Sequence, residues 1–136
     1  MADWYEIFDI YESNDCDSLC EIAGVHSDRL VEYFMNSMSK ENAILTTHDI
    51  ALYFIQIDNF FDGGEADIYK YVFGSESYYY QAINDYRENG GKEYVERVVR
   101  EMPSYMREQV GRFGCAILAS RGYISDTERS VIMRLG

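Results

Sequence analysis

Three acidic side chains near the middle of the chain are spaced as cation ligands could be. Asp58, Asp62 and Glu65 lie within eight residues and offer three carboxylates, which are ligands that Ca²⁺ prefers. The segment departs from the calcium-hand loop, because Phe60 occupies a ligand position and Tyr69 stands where a bidentate glutamate belongs. We interpret the three acids first as helix caps and solvated side chains. A bound divalent cation remains the alternative, and no other cofactor is expected.

Thiol and hydroxyl groups suggest two further chemistries. Cys16 and Cys20 share a helix face and His26 follows, but a structural zinc site needs four ligands, so buried thiols are the better interpretation. The Ser-x-x-Lys pattern of penicillin-recognising enzymes occurs at residues 37–40, in a chain too short for that fold and without the companion motifs. His48 beside Asp49 is interpreted as the neighbour of a helix cap. We therefore predict no catalytic residues and no enzyme.

Charge is distributed unevenly along the sequence. The formal net charge is −12, and residues 1–28 contain eight acidic residues and neither lysine nor arginine. Such a surface repels nucleic acid and anionic lipid and attracts cations or a basic protein surface, although acidity also serves solubility alone. The candidate partner-binding acids lie toward the end of the first predicted helix and in the loop after it, where exposure is expected: Asp9, Glu12, Asp15 and Asp17.

Three consecutive tyrosines, residues 78–80, provide a second candidate contact. Consecutive residues are ~100° apart around a helix, so at least one ring of the three must face solvent. Exposed tyrosine beside acids is typical of contact patches, and Tyr79 is therefore added to the candidate partner-binding residues.

The segment 19–30 has the apolar spacing of a DNA-binding helix-turn-helix, with Gly24 in the turn. Its would-be recognition helix carries Asp28 and Glu32 against a single Arg29. Recognition of DNA needs side chains that neutralise phosphates, so we expect two packed helices and no nucleic-acid partner.

Apolar spacing is helical along nearly the whole chain, which predicts an all-α fold, a compact multi-helix bundle. One central segment, residues 50–57, is apolar on nearly all sides and belongs inside the bundle. Pro103 separates two of the later helices, and Gly111 and Gly114 indicate close approach between helices. The predicted helices are a first from residue 4, 17–23 ending at Gly24, one capped by Ser27, one capped by Thr46 or Thr47, 62–73, one from Ser75 or Ser77 through Tyr86, 94–102, 104–119 and 125–135.

The location and the domain plan follow from what the sequence lacks. No apolar run reaches the ~18 residues of a membrane span, and the N-terminus has no basic region typical of a signal peptide. The three cysteines are not spaced as a disulfide framework, which favours a reducing cytoplasm. We predict one domain over residues 1–136, with N-terminal helices (1–45) packed on a core (46–136). The oligomeric state is left open.

Two segments, 57–65 and 120–128, align without gaps at an offset of 63 residues. Asn59 and Gly122 lie where the chain must turn, and Asp62-x-x-Glu65 and Ser125-x-x-Glu128 are capping boxes. An apolar helix precedes and follows each segment. The sequence therefore predicts two superposable helix-turn-helix hairpins, at residues 52–72 and 115–135.

This duplicated pattern resembles the signature of TerB-like (tellurite-resistance) domains, in which Ala-Asp-Gly-x-Ile-Ser-x-x-Glu lies between apolar helices. The first copy keeps the acid at Asp58 but has Asn59 for glycine, and the second has Arg121 where the acid belongs. The resemblance implies a helical bundle without catalysis that works with partners in bacterial stress or defence and responds to metal. Only Asp58, Asp62 and Glu65 carry over as metal positions.

Three functions are therefore open. The first is a non-enzymatic module that binds a protein partner in a stress or defence response. The second is an acidic inhibitor, such as an immunity protein or a nucleic-acid mimic, that covers a basic site. The third is a small protein that binds divalent cations.

Overall fold

A computed structural model describes residues 2–57, 63–74 and 79–136, without the side chains of residues 79–81. The residues described form eight α-helices and no β-strand, which confirms the all-α prediction. The helices are α1 (Trp4–Glu12), α2 (Cys16–Phe34), α3 (Lys40–Ile55), α4 (Gly63–Phe73), α5 (Tyr79–Glu88), α6 (Gly91–Arg100), α7 (Ser104–Ala119) and α8 (Asp126–Leu135).

Helices α3 and α7 form the interior of the bundle. Every residue from Ile50 to Ile55 is buried, as the apolar sequence of this segment predicts, and so is every residue from Phe113 to Ala119. Helix α2 packs against α3, α4 and α7, and α1 packs against α7 through its buried face of Trp4, Ile7, Phe8 and Tyr11. Helix α1 thus packs on α7, and α2 packs on both interior helices.

Glycines allow α7 to approach its neighbours closely. A Cβ atom at Gly111 would lie 2.3 Å from the Trp4 ring, and a Cβ atom at Gly114 would lie 2.5 Å from the Phe54 ring. Both distances are far inside van der Waals contact, so these positions accept only glycine without rearrangement. The predicted close approach is confirmed, with α1 at Gly111 and with α3 at Gly114.

The predicted break at Gly24 is wrong, because α2 is continuous from Cys16 to Phe34. Ser27 is buried in its interior and caps nothing. A glycine inside a helix costs only about 1 kcal/mol relative to alanine. The buried residues on both sides of Gly24, among them Ala23 and Leu30, contribute more than that through packing. Since no turn separates two helices here, the segment is not a helix-turn-helix.

The predicted cap at Thr46 or Thr47 is also wrong. Helix α3 begins at Lys40, and the Ser39 side chain caps it by accepting a hydrogen bond from the Asn42 amide at 3.2 Å. Thr47 lies in the helix interior, where its hydroxyl donates to the Ala43 carbonyl at 2.9 Å. This internal hydrogen bond allows a threonine to be buried without ending the helix.

The second predicted hairpin is present. Helices α7 and α8 are joined by a turn in which Gly122 has φ +104°, and α8 begins with the predicted capping box of Ser125 and Glu128. The loop of the first hairpin, with Asp58, Asn59 and Asp62, lies outside the described residues. The superposition of the two hairpins therefore stays a prediction.

Several other helix ends agree with the sequence. Helix α4 is followed by Gly74, with φ +91°, as predicted. Pro103 occupies the position before α7, and α6 ends at Arg100. The predicted start of α5 at Ser75 or Ser77 lies outside the described residues.

Candidate protein-binding face

The acids proposed from sequence for partner binding are positioned differently from one another. Asp9 and Asp17 are exposed, as expected. Asp15 is exposed too, but its carboxylate caps α2 by accepting a hydrogen bond from the Ser18 amide at 2.8 Å. That hydrogen bond lowers the pKa of Asp15. Replacing Asp15 would therefore affect the helix as well as any partner.

Glu12 has a role in the fold, and its expected solvent exposure is wrong. Its carboxylate forms an ion pair with Arg129 at 2.8 Å and accepts a hydrogen bond from the Ile124 amide at 2.7 Å. Only 20% of its side chain is exposed. These contacts connect the end of α1 with the beginning of α8. Sequence reasoning missed them because the partners are more than one hundred residues away along the chain.

Helix α2 presents a row of four exposed carboxylates. Their separations of four, seven and four residues place them within about 60° around the helix and along about 22 Å of its axis. We call this row the acidic stripe, and it consists of Asp17, Glu21, Asp28 and Glu32. Sequence analysis did not identify the stripe, since it divided α2 at Gly24.

A groove of about 370 Å³ lies beside the middle of the acidic stripe, between α2 and α4. Tyr71 of α4 is 58% exposed and Val25 of α2 is 49% exposed, so the groove offers apolar surface next to carboxylates. Its lining residues are Glu21, Gly24, Val25, Ser27, Asp28, Tyr71 and Val72.

The charge around this groove is mainly negative. Asp67 of α4 is exposed, and its charge helps raise the pKa of Cys16, which places it near the first turn of α2. The exposed cations on α2 and α4 are Arg29 and Lys70. Nine of the twelve basic residues of the chain lie instead at residues 87–136. The surface of α2 and α4 therefore favours a positively charged partner.

A second cleft, of about 830 Å³, lies where the N-termini of α1 and α7 meet the end of α8. Tyr5 and Tyr105 are highly exposed there. Asp3, Glu108 and Arg107 all contribute to its lining, so both signs of charge are present. This cleft is less selective for a charged partner than the face formed by α2 and α4.

Most of the proposed metal site lies outside the described residues, so it stays a prediction. Glu65 is fully buried at the start of α4, whereas Asp58 and Asp62 lie outside the described residues. No group of three or more histidine, cysteine, aspartate or glutamate side chains in the described parts of the chain is arranged to hold a metal ion. Burial also raises the pKa of Cys20 to about 11, which keeps that thiol protonated at neutral pH.

Both histidines are internal hydrogen-bonding groups. His26 lies between the Tyr11 hydroxyl, 2.7 Å from Nε2, and Gln109 Oε1, 3.0 Å from Nδ1. His48 lies inside α3, not beside a helix cap as predicted, and its Nε2 is 2.6 Å from the Tyr69 hydroxyl. Burial lowers the pKa of each histidine to about 4, so both are neutral at pH 7.

Tyr79 is the first residue of α5, but its side chain lies outside the described part of the structure. Its assignment to partner binding stays a prediction. Exposed tyrosines that sequence reasoning did not single out are Tyr5, Tyr71, Tyr105 and Tyr123.

Comparisons of the chain with protein-family models, curated proteins and solved structures give no match. In the described regions, every helix is too short or too polar to cross a membrane. The acidic stripe and its groove are thus the surface features that bear most directly on function.

Proposed function

We propose that this protein is a non-catalytic binding module whose α2–α4 face receives a basic surface of a protein partner. The acidic stripe is the observation that carries the proposal. Four carboxylates point to one side of a helix over about 22 Å, next to exposed Tyr71 and Val25. Interfaces combine aromatic anchors with complementary charge in this way.

The TerB-like resemblance of the repeat favours a setting in bacterial stress or defence, and the spacing of the cysteines favours a cytoplasmic location. The resemblance does not favour catalysis. His26 is buried and His48 is half-buried, both are hydrogen-bonded to tyrosine hydroxyls, and the thiol of Cys20 is protonated at neutral pH. Neither group is available as a general base or a nucleophile.

A second function is favoured by the alignment of the stripe along one helix. A row of exposed carboxylates along one helix presents negative charge at intervals, as a nucleic-acid backbone does. An inhibitor that covers the nucleic-acid site of a basic enzyme would use such a row. Inhibition of the captured partner by the protein alone, competitive with nucleic acid, would distinguish this role from that of an adaptor.

Affinity capture with two charge-matched variants tests the proposal. The stripe variant carries Asp17→Asn, Glu21→Gln, Asp28→Asn and Glu32→Gln. The control variant neutralises four exposed acids elsewhere: Asp85→Asn, Glu88→Gln, Glu93→Gln and Glu101→Gln. Each immobilised protein is exposed to extract of the native host, and captured proteins are quantified by mass spectrometry.

We expect a basic protein to be captured by the wild type and by the control variant, and to be lost from the stripe variant. Its association rate with the purified wild type should fall at least tenfold between low and physiological salt, since steering by exposed charges is screened. Equal capture by all three proteins would contradict the proposal and return the net charge to a role in solubility.

A further inference from the structure

We propose that the Tyr71 ring is the docking point for an arginine of the partner, which comes from a basic segment that lies along the acidic stripe. This inference rests on the proposed function and deepens it, because it assigns both the position and the chemistry of the central contact.

The position of the Tyr71 ring follows from its contact with α2 at Gly24. A Cβ atom there would lie 3.3 Å from Cε1 and 3.9 Å from Cδ1 of Tyr71, so one edge of the ring rests against α2 at the glycine. The ring is thereby supported by a helix backbone although 58% of the residue is exposed. An exposed ring with restricted motion loses little conformational entropy on binding, which favours it as an anchor.

Carboxylates lie on both sides of the ring along α2. Glu21 and Asp28 are seven residues apart, about 10 Å along the helix axis, and Gly24 lies between them. Both line the same groove as Tyr71. A cation at the ring would therefore gain from the aromatic face and from the charges at either end of the groove.

Arginine suits this arrangement better than lysine. A guanidinium is planar and weakly hydrated, so it stacks on an aromatic face and still donates hydrogen bonds to carboxylates in its plane. Lys70, the preceding residue of α4, is exposed, and its repulsion disfavours a cation that binds at the ring alone, such as a metal ion. A segment positioned by the whole stripe can accommodate that repulsion.

The length of the stripe indicates a polypeptide as the occupant. About 22 Å corresponds to four turns of helix, far longer than one small cation or amino acid. Nucleic acid and anionic lipid are repelled by the same carboxylates. Charge complementarity thus favours a basic protein segment whose arginines are spaced like the acids of α2.

The probes are two fluorescein-labelled 16-residue alanine-based peptides. One carries arginine at its first, fifth, twelfth and sixteenth positions, the spacing of the stripe, and the other carries lysine at the same positions. Fluorescence anisotropy measures their binding to the wild type, Tyr71→Ala, Tyr71→Phe, the stripe variant and Tyr105→Ala. Circular dichroism confirms that each variant is folded.

We expect the arginine peptide to lose about fivefold in affinity in Tyr71→Ala, a loss within the range of cation–π contacts, and to recover in Tyr71→Phe. The lysine peptide should lose less. Tyr105→Ala, a tyrosine that is 67% exposed in the other cleft, should leave both peptides unaffected. The stripe variant should bind neither peptide.

Two results would distinguish a failure of the proposed Tyr71 contact from a failure of the proposed function. Equal arginine affinity in wild type and Tyr71→Ala, with loss in the stripe variant, would overturn the role of Tyr71 and leave the acidic face in place. Binding of both peptides to the stripe variant as tightly as to the wild type would overturn the proposed function itself.

Discussion

Glu128 shows how a local capping motif acquires a larger role through a buried ion pair. Its Oε1 accepts hydrogen bonds from the Arg121 guanidinium and, at 2.9 Å, from the Ser125 amide. The glutamate side chain is fully buried and only 13% of the Arg121 side chain is exposed. Arg121 therefore forms an ion pair with the glutamate of the capping box that follows it in the chain.

Replacing Glu128 should therefore cost more than the loss of a capping box. We expect Glu128→Ala to lower the free energy of unfolding by about 3 kcal/mol, because a buried ion pair loses one partner. Ser125→Ala removes the cap alone and should cost about 1 kcal/mol. Urea unfolding of both variants measures the difference. Equal costs would show that the ion pair contributes nothing beyond the cap.

His26 should make the protein sensitive to acid. Burial lowers its pKa to about 4, against ~6.5 in an unfolded chain, so between these values the unfolded state binds more protons. Its contribution to stability is complete above pH ~6.5 and is lost as the pH falls toward 4. His26→Gln keeps hydrogen-bonding capacity toward Tyr11 and Gln109 without titrating in this range.

Between about pH 7 and pH 5, the wild type should lose about 2 kcal/mol more unfolding free energy than His26→Gln. Asp49, whose pKa burial raises to about 6, acts with the opposite sign but equally in both proteins. Urea midpoints at the two pH values provide the comparison. Parallel losses in the two proteins would mean that His26 becomes protonated in the folded state without penalty.

At the scale of helices, the sequence was sufficient where the signal was local, except at α3, whose nearby cap Ser39 was missed. Residues within a few turns of one another were enough to predict the buried apolar face of α1 and the apolar segment inside α3. The same holds for the positions of α7 and α8 and for the end of α4 at Gly74. The capping box of α8 is a signal of the same kind.

The other failures occurred where distant contacts decided the outcome. Gly24 continues a helix because Tyr71, 47 residues later, packs against it and its helical neighbours are buried. Glu12 was predicted to be exposed because its ion-pair partner Arg129 is far away along the chain. The acidic stripe, the main part of the candidate site, was hidden by the predicted break at Gly24. Its acids were recognised in sequence, but their alignment on one continuous helix was not.

The close approach of α7 to α3 provides a test at this scale. Gly114→Ala places a Cβ atom 2.5 Å from the Phe54 ring, and both residues are buried. We expect a loss of about 2 kcal/mol in unfolding free energy, as for other overpacked cores. Gly63→Ala is the matched control, since nothing lies within 4 Å of its Cβ position. If the two alanine variants melt alike, the packing of α7 on α3 is looser than described.

At the scale of the whole molecule, the acidic N-terminal half must fold against its own repulsion. Within the acidic stripe, Asp17 and Glu21 are four residues apart, as are Asp28 and Glu32, and like charges at this spacing destabilise a helix by a few tenths of a kcal/mol. The net charge of −12 adds a longer-range contribution. Solubility alone requires neither the alignment of acids on one helix face nor the lack of lysine and arginine in the N-terminal segment of the sequence.

Charge reversal within the stripe should therefore stabilise the protein while abolishing binding. In Glu21→Lys with Asp28→Lys, each repulsive pair becomes attractive, and we expect a gain of about 1 kcal/mol in unfolding free energy at low salt. The gain should shrink between about 10 mM and 150 mM salt, where the screening length falls from about 30 Å to about 8 Å, while the wild type becomes more stable.

The control is Asp85→Lys with Glu101→Lys, which makes the same charge change at exposed positions outside the stripe. Urea unfolding of the three proteins at both salt concentrations measures these effects. A gain in the control as large as that in Glu21→Lys with Asp28→Lys would mean that only total charge matters. A larger gain in Glu21→Lys with Asp28→Lys, together with lost peptide binding, would show that the stripe is kept at a cost in stability, as expected of a binding surface.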